Sequence, residues 1–351
     1  MPILRLHTGA SVEWEGPMAS IRVTTFNLEN LFNRYALLDT PWENRSYEKI
    51  AQAVGLASIA SRQGDLVAYE TTDIQRDNTG RAILDSAPDV LAVQEVENLY
   101  TLRIFNRQYL KNYFDRMILI DGNDPRGIDV GFLLRKGFSG QITGIQTHID
   151  EGQGGKAVVR GPGGPGSAIG YPATNAVFSR DCLCVDVAIG GATLAFLVNH
   201  LKAQDGTADA DTRRTLQATR VAALAAEART HGKLPIVLGD LNADVADAKQ
   251  TKNKAKKRAG DSLLPLLTAK GLVDSFGATA ENWTHYYESD DSVSRLDYIL
   301  VDKQLTVNGR EVLRKGLSLK CDQTTAPRYP TIGLTHTEAS DHCPVTAVIE
   351  V

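Results

Sequence analysis

Alternation of apolar and polar positions divides the chain into short strand-like runs. IRVTTF (21–26), DVLAVQE (89–95), DVGFLLR (129–135), LPIVLGD (234–240) and RLDYILV (295–301) each read as a strand buried on one or both faces. Further strands are predicted near 174–179, 183–188 and 193–199, and a last one over Val345 to Val351. Helical periodicity falls on Tyr47 to Arg62, on Asn98 to Leu110 and on an Ala- and Arg-rich stretch at 209–230. EGQGGKAVVRGPGGPGSAIG (151–170) is too rich in Gly and Pro for a regular element and reads as a loop.

The order of these elements predicts an α/β (α+β) protein. Several strands follow one another directly, as antiparallel hairpins do, which argues against a doubly wound parallel sheet. Two mixed sheets packed face to face, with helices outside, fit better. The two halves echo each other: each has an apolar strand ending in an acid, VLAVQE in the first and PIVLGD in the second. Residues 1–20 read as an N-terminal extension. Residues 21–351 read as a single domain with loop insertions near 148–173 and 247–262.

Composition adds limits. With 351 residues, 42% hydrophobic and 23% charged, the chain resembles an ordinary globular protein. No stretch approaches the roughly 20 apolar residues of a membrane span, and the N-terminus has no basic start followed by a long apolar core. Four cysteines form no evident disulfide framework or zinc spacing. Together these features predict a cytoplasmic, monomeric chain in a reducing setting. The formal charge of −4 excludes a generally basic coat but leaves room for a local basic groove. The run KQTKNKAKKRAG (249–260) is read either as a solvated loop or as an arm for a nucleic-acid backbone.

Chemistry collects at the strand ends. FNLENLF carries Asn27 and Glu29, QEVEN carries Glu95, VNHLK carries His200, GDLNAD carries Asp240 and Asn242, SRLDYIL carries Asp297, and SDH carries Asp341 and His342. Singly, each has a plain structural reading: a turn, a helix cap, a satisfied buried histidine. Together they place a carboxylate, an amide or an imidazole at each of these strand ends, where ligand sites of α/β folds form. The oxygen donors suit Mg²⁺ or Mn²⁺ rather than zinc. Acids with two histidines suit phosphate-ester hydrolysis: one acid activates water, and imidazolium and amide groups stabilise phosphoryl charge.

In this order, FNLEN, QEVEN, NHLK, GDLNAD, RLDYIL and SDHCPV resemble the signature blocks of the endonuclease/exonuclease/phosphatase superfamily, over about residues 21–351. The motif style is closest to bacterial extracellular-nuclease-type members. The resemblance implies a DNase I-like four-layer α/β/β/α sandwich and a divalent-metal-dependent phosphoesterase. Nuclease action on DNA is the first reading, and a phosphodiesterase or phosphatase for a lipid head group or small phosphoester is the alternative. It implies Glu95 as principal metal ligand, with Asn27, Glu29 and Asp341 in the metal region. Asp240 would activate water, Asn242 and Asn27 would touch the phosphate, and His342 would contact it with Asp297 as partner. His200 would be the second histidine, with Asp129 of RGIDVG as its carboxylate partner. Arg126, Arg180 and Arg295 are further candidates for phosphate oxygens.

Overall fold

The computed structural model describes residues 20–38, 65–68, 71–124, 126–158, 175–245, 259–277 and 280–351. The helix expected at 47–62, residues 1–19 of the extension expected at 1–20, most of the Gly/Pro-rich loop and nearly all of the basic run lie outside these residues.

Sixteen strands are present among the described residues: β1 (Ser20–Leu31), β2 (Tyr35–Leu38), β3 (Asp65–Ala68), β4 (Val90–Val96), β5 (Phe114–Leu119), β6 (Asp129–Arg135), β7 (Gln141–Gln146), β8 (Leu183–Ile189), β9 (Ala192–His200), β10 (Leu234–Asp240), β11 (Leu272–Asp274), β12 (His285–Tyr287), β13 (Ser292–Ser294), β14 (Asp297–Asp302), β15 (Thr306–Val312) and β16 (Val345–Glu350). The α-helices are α1 (Asp73–Ser86), α2 (Leu99–Gln108), α3 (Ala208–Thr230) and the single turn α4 (Leu264–Leu267). Twelve strands build two six-stranded sheets, ordered β15-β16-β1-β4-β6-β5 and β11-β14-β10-β9-β8-β7. The β1–β4 and β9–β10 pairs are parallel and the other pairings in these two sheets antiparallel, so both sheets are mixed.

Side-chain alternation sorts each strand between two cores. Ile21 and Val23 of β1, Val90 and Ala92 of β4, Phe196 and Val198 of β9, Ile236 and Leu238 of β10, and Ile299 and Val301 of β14 meet in the core between the sheets. The alternate positions face outward. Phe26, Leu91 and Val93 pack with Ala82 and Ile83 of α1 and with Leu102 and Phe105 of α2. Leu197, Val237 and Leu300 pack with Ala218, Val221 and Ala225 of α3. The result is the helix–sheet–sheet–helix sandwich. No helix among the described residues is long and apolar enough to cross a membrane.

One expectation fails, and one helix is unanticipated. The strand near 174–179 is absent from the described part of that stretch, where Ala176 makes one isolated bridge to Gly152. Helix α1 had no signal in the sequence because it lacks an apolar stripe. Its buried face includes Gln75, Arg76, Asn78 and Thr79, whose side chains bond the Phe32 carbonyl and the 331–339 segment. A capping box starts it: Thr72 Oγ1 accepts from the Gln75 amide at 3.1 Å, and Gln75 Oε1 accepts from the Thr72 amide at 3.0 Å.

Where β9 and β10 lie side by side, Gly239 has φ of +134°, and a Cβ there would come 1.9 Å from the Asn199 carbonyl oxygen. No rotamer relieves a clash with backbone. Gly239→Ala is therefore expected to cost about 3 kcal/mol or more. The check is the urea midpoint, and a midpoint equal to that of the native chain would contradict the packing.

Candidate active site

The same alternation delivers the site. Counting along from the inter-sheet core residues, Asn27 of β1, His200 of β9, Asp240 of β10 and Asp297 of β14 take the inward parity, the last three at the very end of their strands and Asn27 four residues before the end of β1. All four are buried.

Asp240 is the hub. Its Oδ2 accepts from Asn27 Nδ2 at 3.1 Å, across the gap between the sheets, and from Asn242 Nδ2 at 3.1 Å. Its Oδ1 accepts from the Asn242 amide at 2.9 Å. His200 Nε2 lies 3.4 Å from Oδ2 and 3.7 Å from Glu95 Oε1. Burial pushes the Asp240 carboxyl up to about 7; His342 pulls it down and Asp297 adds to the rise. A carboxylate poised there is matched to proton transfer near neutrality.

His342 Nδ1 sits 2.8 Å from Asp297 Oδ2, and its Nε2 lies 3.8 Å from Asp240 Oδ2 and 4.0 Å from Asp341 Oδ1. Burial lowers its pKa, but Asp297 and Asp240 outweigh burial and hold the imidazolium well above its ordinary range. His200 goes the other way. Burial first, then the charges of Arg180, His342 and Arg126, keep it neutral.

Ser340, which reads as a turn residue, ties this segment to β1. Its Oγ donates to the Asn27 carbonyl at 2.8 Å and accepts from the His342 amide at 3.0 Å. Thr284 completes the Asp297 end, donating to Asp297 Oδ2 at 2.7 Å. His285 also escaped the sequence reading. Its ring centroid is 4.7 Å from that of His342, and its Nε2 is 3.5 Å from Asp341 Oδ2. Its strand is only three residues long, too short for a periodic signal.

Glu95 Oε2 accepts from the Asn30 amide at 3.1 Å, and Glu29 Oε2 accepts from the Asp341 amide at 2.9 Å. Glu29, Asn30, Glu95 and Asn242 all have positive φ, between 47° and 61°. Such non-glycine backbone is held against its local preference and clusters at functional sites. Burial, then Asp341 and Glu338, raise Glu29 well above the usual carboxylate range. Oxygen donors with uncompensated negative charge fit a hard divalent cation. Glu29, Glu95 and Asp341 do not close around one point, however. Among the described residues, the donor trios within 4.8 Å near this site are His285–Asp341–His342 and Asp240–Asp297–His342.

Two placements differ from expectation. Asp129 does not pair with His200: its Oδ1 accepts from the Gly122 amide at 2.7 Å, while its Oδ2 and His200 Nδ1 have no hydrogen-bond partner. The alternation of β6 explains this. Val130 and Phe132 face the inter-sheet core, so Asp129 falls on the other parity from His200. Burial raises the Asp129 carboxyl to about 7. Arg295 is not available to a phosphate. It is 2% exposed, grips both Asp274 oxygens at 2.6 and 2.7 Å, donates to the Gly277 carbonyl and stacks on Tyr298. Arg180 is buried beside Asp124 at 3.0 Å. Arg126 also holds Asp124, but its side chain is 60% exposed.

The sequence matches the Endonuclease/Exonuclease/phosphatase family over residues 25–342, and the chain belongs to that family. Its members are phosphoester hydrolases and generally use divalent metals. Solved structures share the fold. An endonuclease/exonuclease/phosphatase from Bacteroides vulgatus is 17% identical, with a TM-score of 0.54 over 95% of this chain and 99% of that one. D. rerio TDP2 complexed with a single-strand DNA product is 14% identical, with a TM-score of 0.52 over 95% and 100%. A Bacteroides thetaiotaomicron mannosyl-6-phosphatase is 16% identical, with a TM-score of 0.55 over 94% and 99%. No curated protein sequence matches the chain.

The Asp240 environment has a consequence for stability. A carboxyl whose pKa rises on folding adds stability below its unfolded value, about 3.9, and that stability is lost as pH climbs through about 7. In metal-free buffer, Asp240→Asn should therefore gain on the native chain as pH rises from about 4 to 8, by something on the order of 1–4 kcal/mol. Urea denaturation across that range is the check. A pH-independent difference would mean that Asp240 is ionised without cost.

Proposed function

We propose that this protein is a divalent-metal-dependent phosphodiesterase that attacks the scissile phosphate with water, with DNA as its substrate. The observation that carries the reading is Asp240, fixed by Asn27 and Asn242 at 3.1 Å and facing the His342 ring. Asp240 takes the proton of the attacking water. Asn27 and Asn242 orient that carboxylate; Asn242 Nδ2 also donates to the Leu201 carbonyl at 3.2 Å, and it would have to give up that bond to reach a phosphoryl oxygen. His342, kept protonated by Asp297, donates from Nε2 to a phosphoryl oxygen as negative charge grows. Glu95, with Asn27, Glu29 and Asp341, is the set we assign to Mg²⁺ or Mn²⁺; these donors would have to draw together around the ion, which would neutralise phosphoryl charge and steady the departing oxygen. Arg126 is the exposed guanidinium suited to a neighbouring phosphate of a longer strand. The shared fold of TDP2, solved with single-strand DNA, supports DNA as substrate.

A second reading, hydrolysis of a small phosphoester, is favoured by the sequestering of Arg180 and Arg295, which leaves Arg126 as the one exposed member of the three arginines considered. The shared fold of the mannosyl-6-phosphatase agrees with it. A panel with Mg²⁺ or Mn²⁺ over single-stranded and plasmid DNA, RNA, sphingomyelin, bis-p-nitrophenyl phosphate and a sugar monophosphate separates the two. Cleavage of DNA well above the sugar phosphate supports the first, and the reverse order supports the second.

His342→Ala is expected to lower turnover on the preferred substrate by about 10²–10³. Asp297→Asn should act through the same ring, so the double variant should lose far less than the product of the two factors. Multiplying losses would show that the two residues work separately. Glu95→Gln should abolish tight Mg²⁺ binding while leaving the fold intact, and an unchanged metal titration would remove Glu95 from that role.

A further inference from the structure

Away from this site, the β7–β8 edge brings together three donors that the sequence scatters. The antiparallel register pairs Gln146 with Cys184. Continued by two residues, it sets His148 opposite Cys182, so His148, Cys182 and Cys184 share one face of the ladder. That face is turned from the inter-sheet core, because Leu183 and Val185 occupy the inward positions. The side chains do converge. One donor atom from each of the three lies within 4.8 Å of the others, and Cys184 Sγ is 3.9 Å from His148 Nδ1. All four cysteines of the chain are free thiols. Cys182 and His148 are buried and Cys184 is partly exposed. The His148 backbone is fixed as well, its amide donating to Asp181 Oδ1 at 2.7 Å.

We infer that His148, Cys182 and Cys184 form a zinc site separate from the hydrolytic centre. Two thiolates and an imidazole are soft and borderline donors, unlike the oxygens near Glu95, and they select Zn²⁺ over Mg²⁺ or Mn²⁺. Zinc binds sulfur at about 2.3 Å and imidazole nitrogen at about 2.0–2.1 Å, so a tetrahedral ion holds two such donors about 3.5–3.8 Å apart. The 3.9 Å between Cys184 Sγ and His148 Nδ1 is close to that spacing. Charge decides between Zn²⁺ and Cu⁺. Zn²⁺ with two thiolates and a neutral imidazole sums to zero, which suits a buried position, whereas Cu⁺ would leave one uncompensated negative charge. Binding costs the 2.7 Å hydrogen bond of His148 Nδ1 to the Cys182 carbonyl and displaces protons from the thiols and the ring. A water would complete the four-coordinate set.

The test uses the full chain under a thiol-free reductant, stripped with a chelator and then held in excess Mg²⁺ so that hard sites are filled. Titration with Co²⁺ should give a thiolate-to-metal charge-transfer band that saturates at one equivalent, and Zn²⁺ should abolish it with release of protons. Cys184→Ser, at the partly exposed position, and His148→Gln should each lose the band. Their Zn²⁺ affinity should fall by more than the roughly 10- to 100-fold that removing an outer-shell partner costs. His342→Ala should keep the band. A folded native chain without a thiolate band overturns the site and leaves only a buried thiol–imidazole pair. So does a Cys184→Ser variant that binds Co²⁺ and Zn²⁺ as the native chain does. If one variant fails to fold, the native titration and the other variant still decide.

Discussion

A carboxylate buried between two sheets has to be compensated, and the site is organised around that constraint. Asp240 stands at the end of a central strand, where its side chain cannot reach bulk water. Removing it from water without partners would cost several kcal/mol. Asn27 from the opposite sheet, Asn242 from its own loop and the rings of His200 and His342 supply the compensation. The Asn27–Asp240 hydrogen bond also spans the gap between the sheets, so the sandwich and the geometry of the site fix each other. The compensation is incomplete, which leaves the carboxyl poised near neutrality instead of firmly ionised.

The two histidines show how a shared pocket gives identical side chains different work. His342 has Asp297 behind it, and that carboxylate is itself held by Thr284. His200 has no carboxylate on Nδ1, and it faces the positive charges of Arg180 and Arg126. One ring is held charged and the other neutral beside Asp240 and Glu95. Environments that drive like groups apart in pKa are how acid and base roles are assigned.

Much of this was legible in the chain. Short apolar strand runs ending near Asn27, Glu95, His200 and Asp240, and beginning at Asp297, are local features of the sequence that survive folding. What was not legible depends on contacts between distant segments. Arg295 lies two residues before Asp297 and looked like a neighbour of the phosphate, yet Asp274 from another strand captures it. Asp129 is set by strand parity, which motif spacing alone does not convey. Helix α1 buries polar side chains against the 331–339 segment and so shows no apolar stripe. His148 lies 34 residues from Cys182, a distance that only the β7–β8 register closes.

The claim that environment splits the two histidines is tested most directly by the ring-nitrogen NMR shifts of the metal-free protein, with Asp297→Asn as comparison. Between about pH 5.5 and 8.5, either side of the unperturbed histidine value, His342 should keep protons on both ring nitrogens and His200 should stay neutral. In Asp297→Asn the His342 ring should titrate within that window. A neutral His342 in the native protein at pH 7, or a protonated His200, would contradict the account.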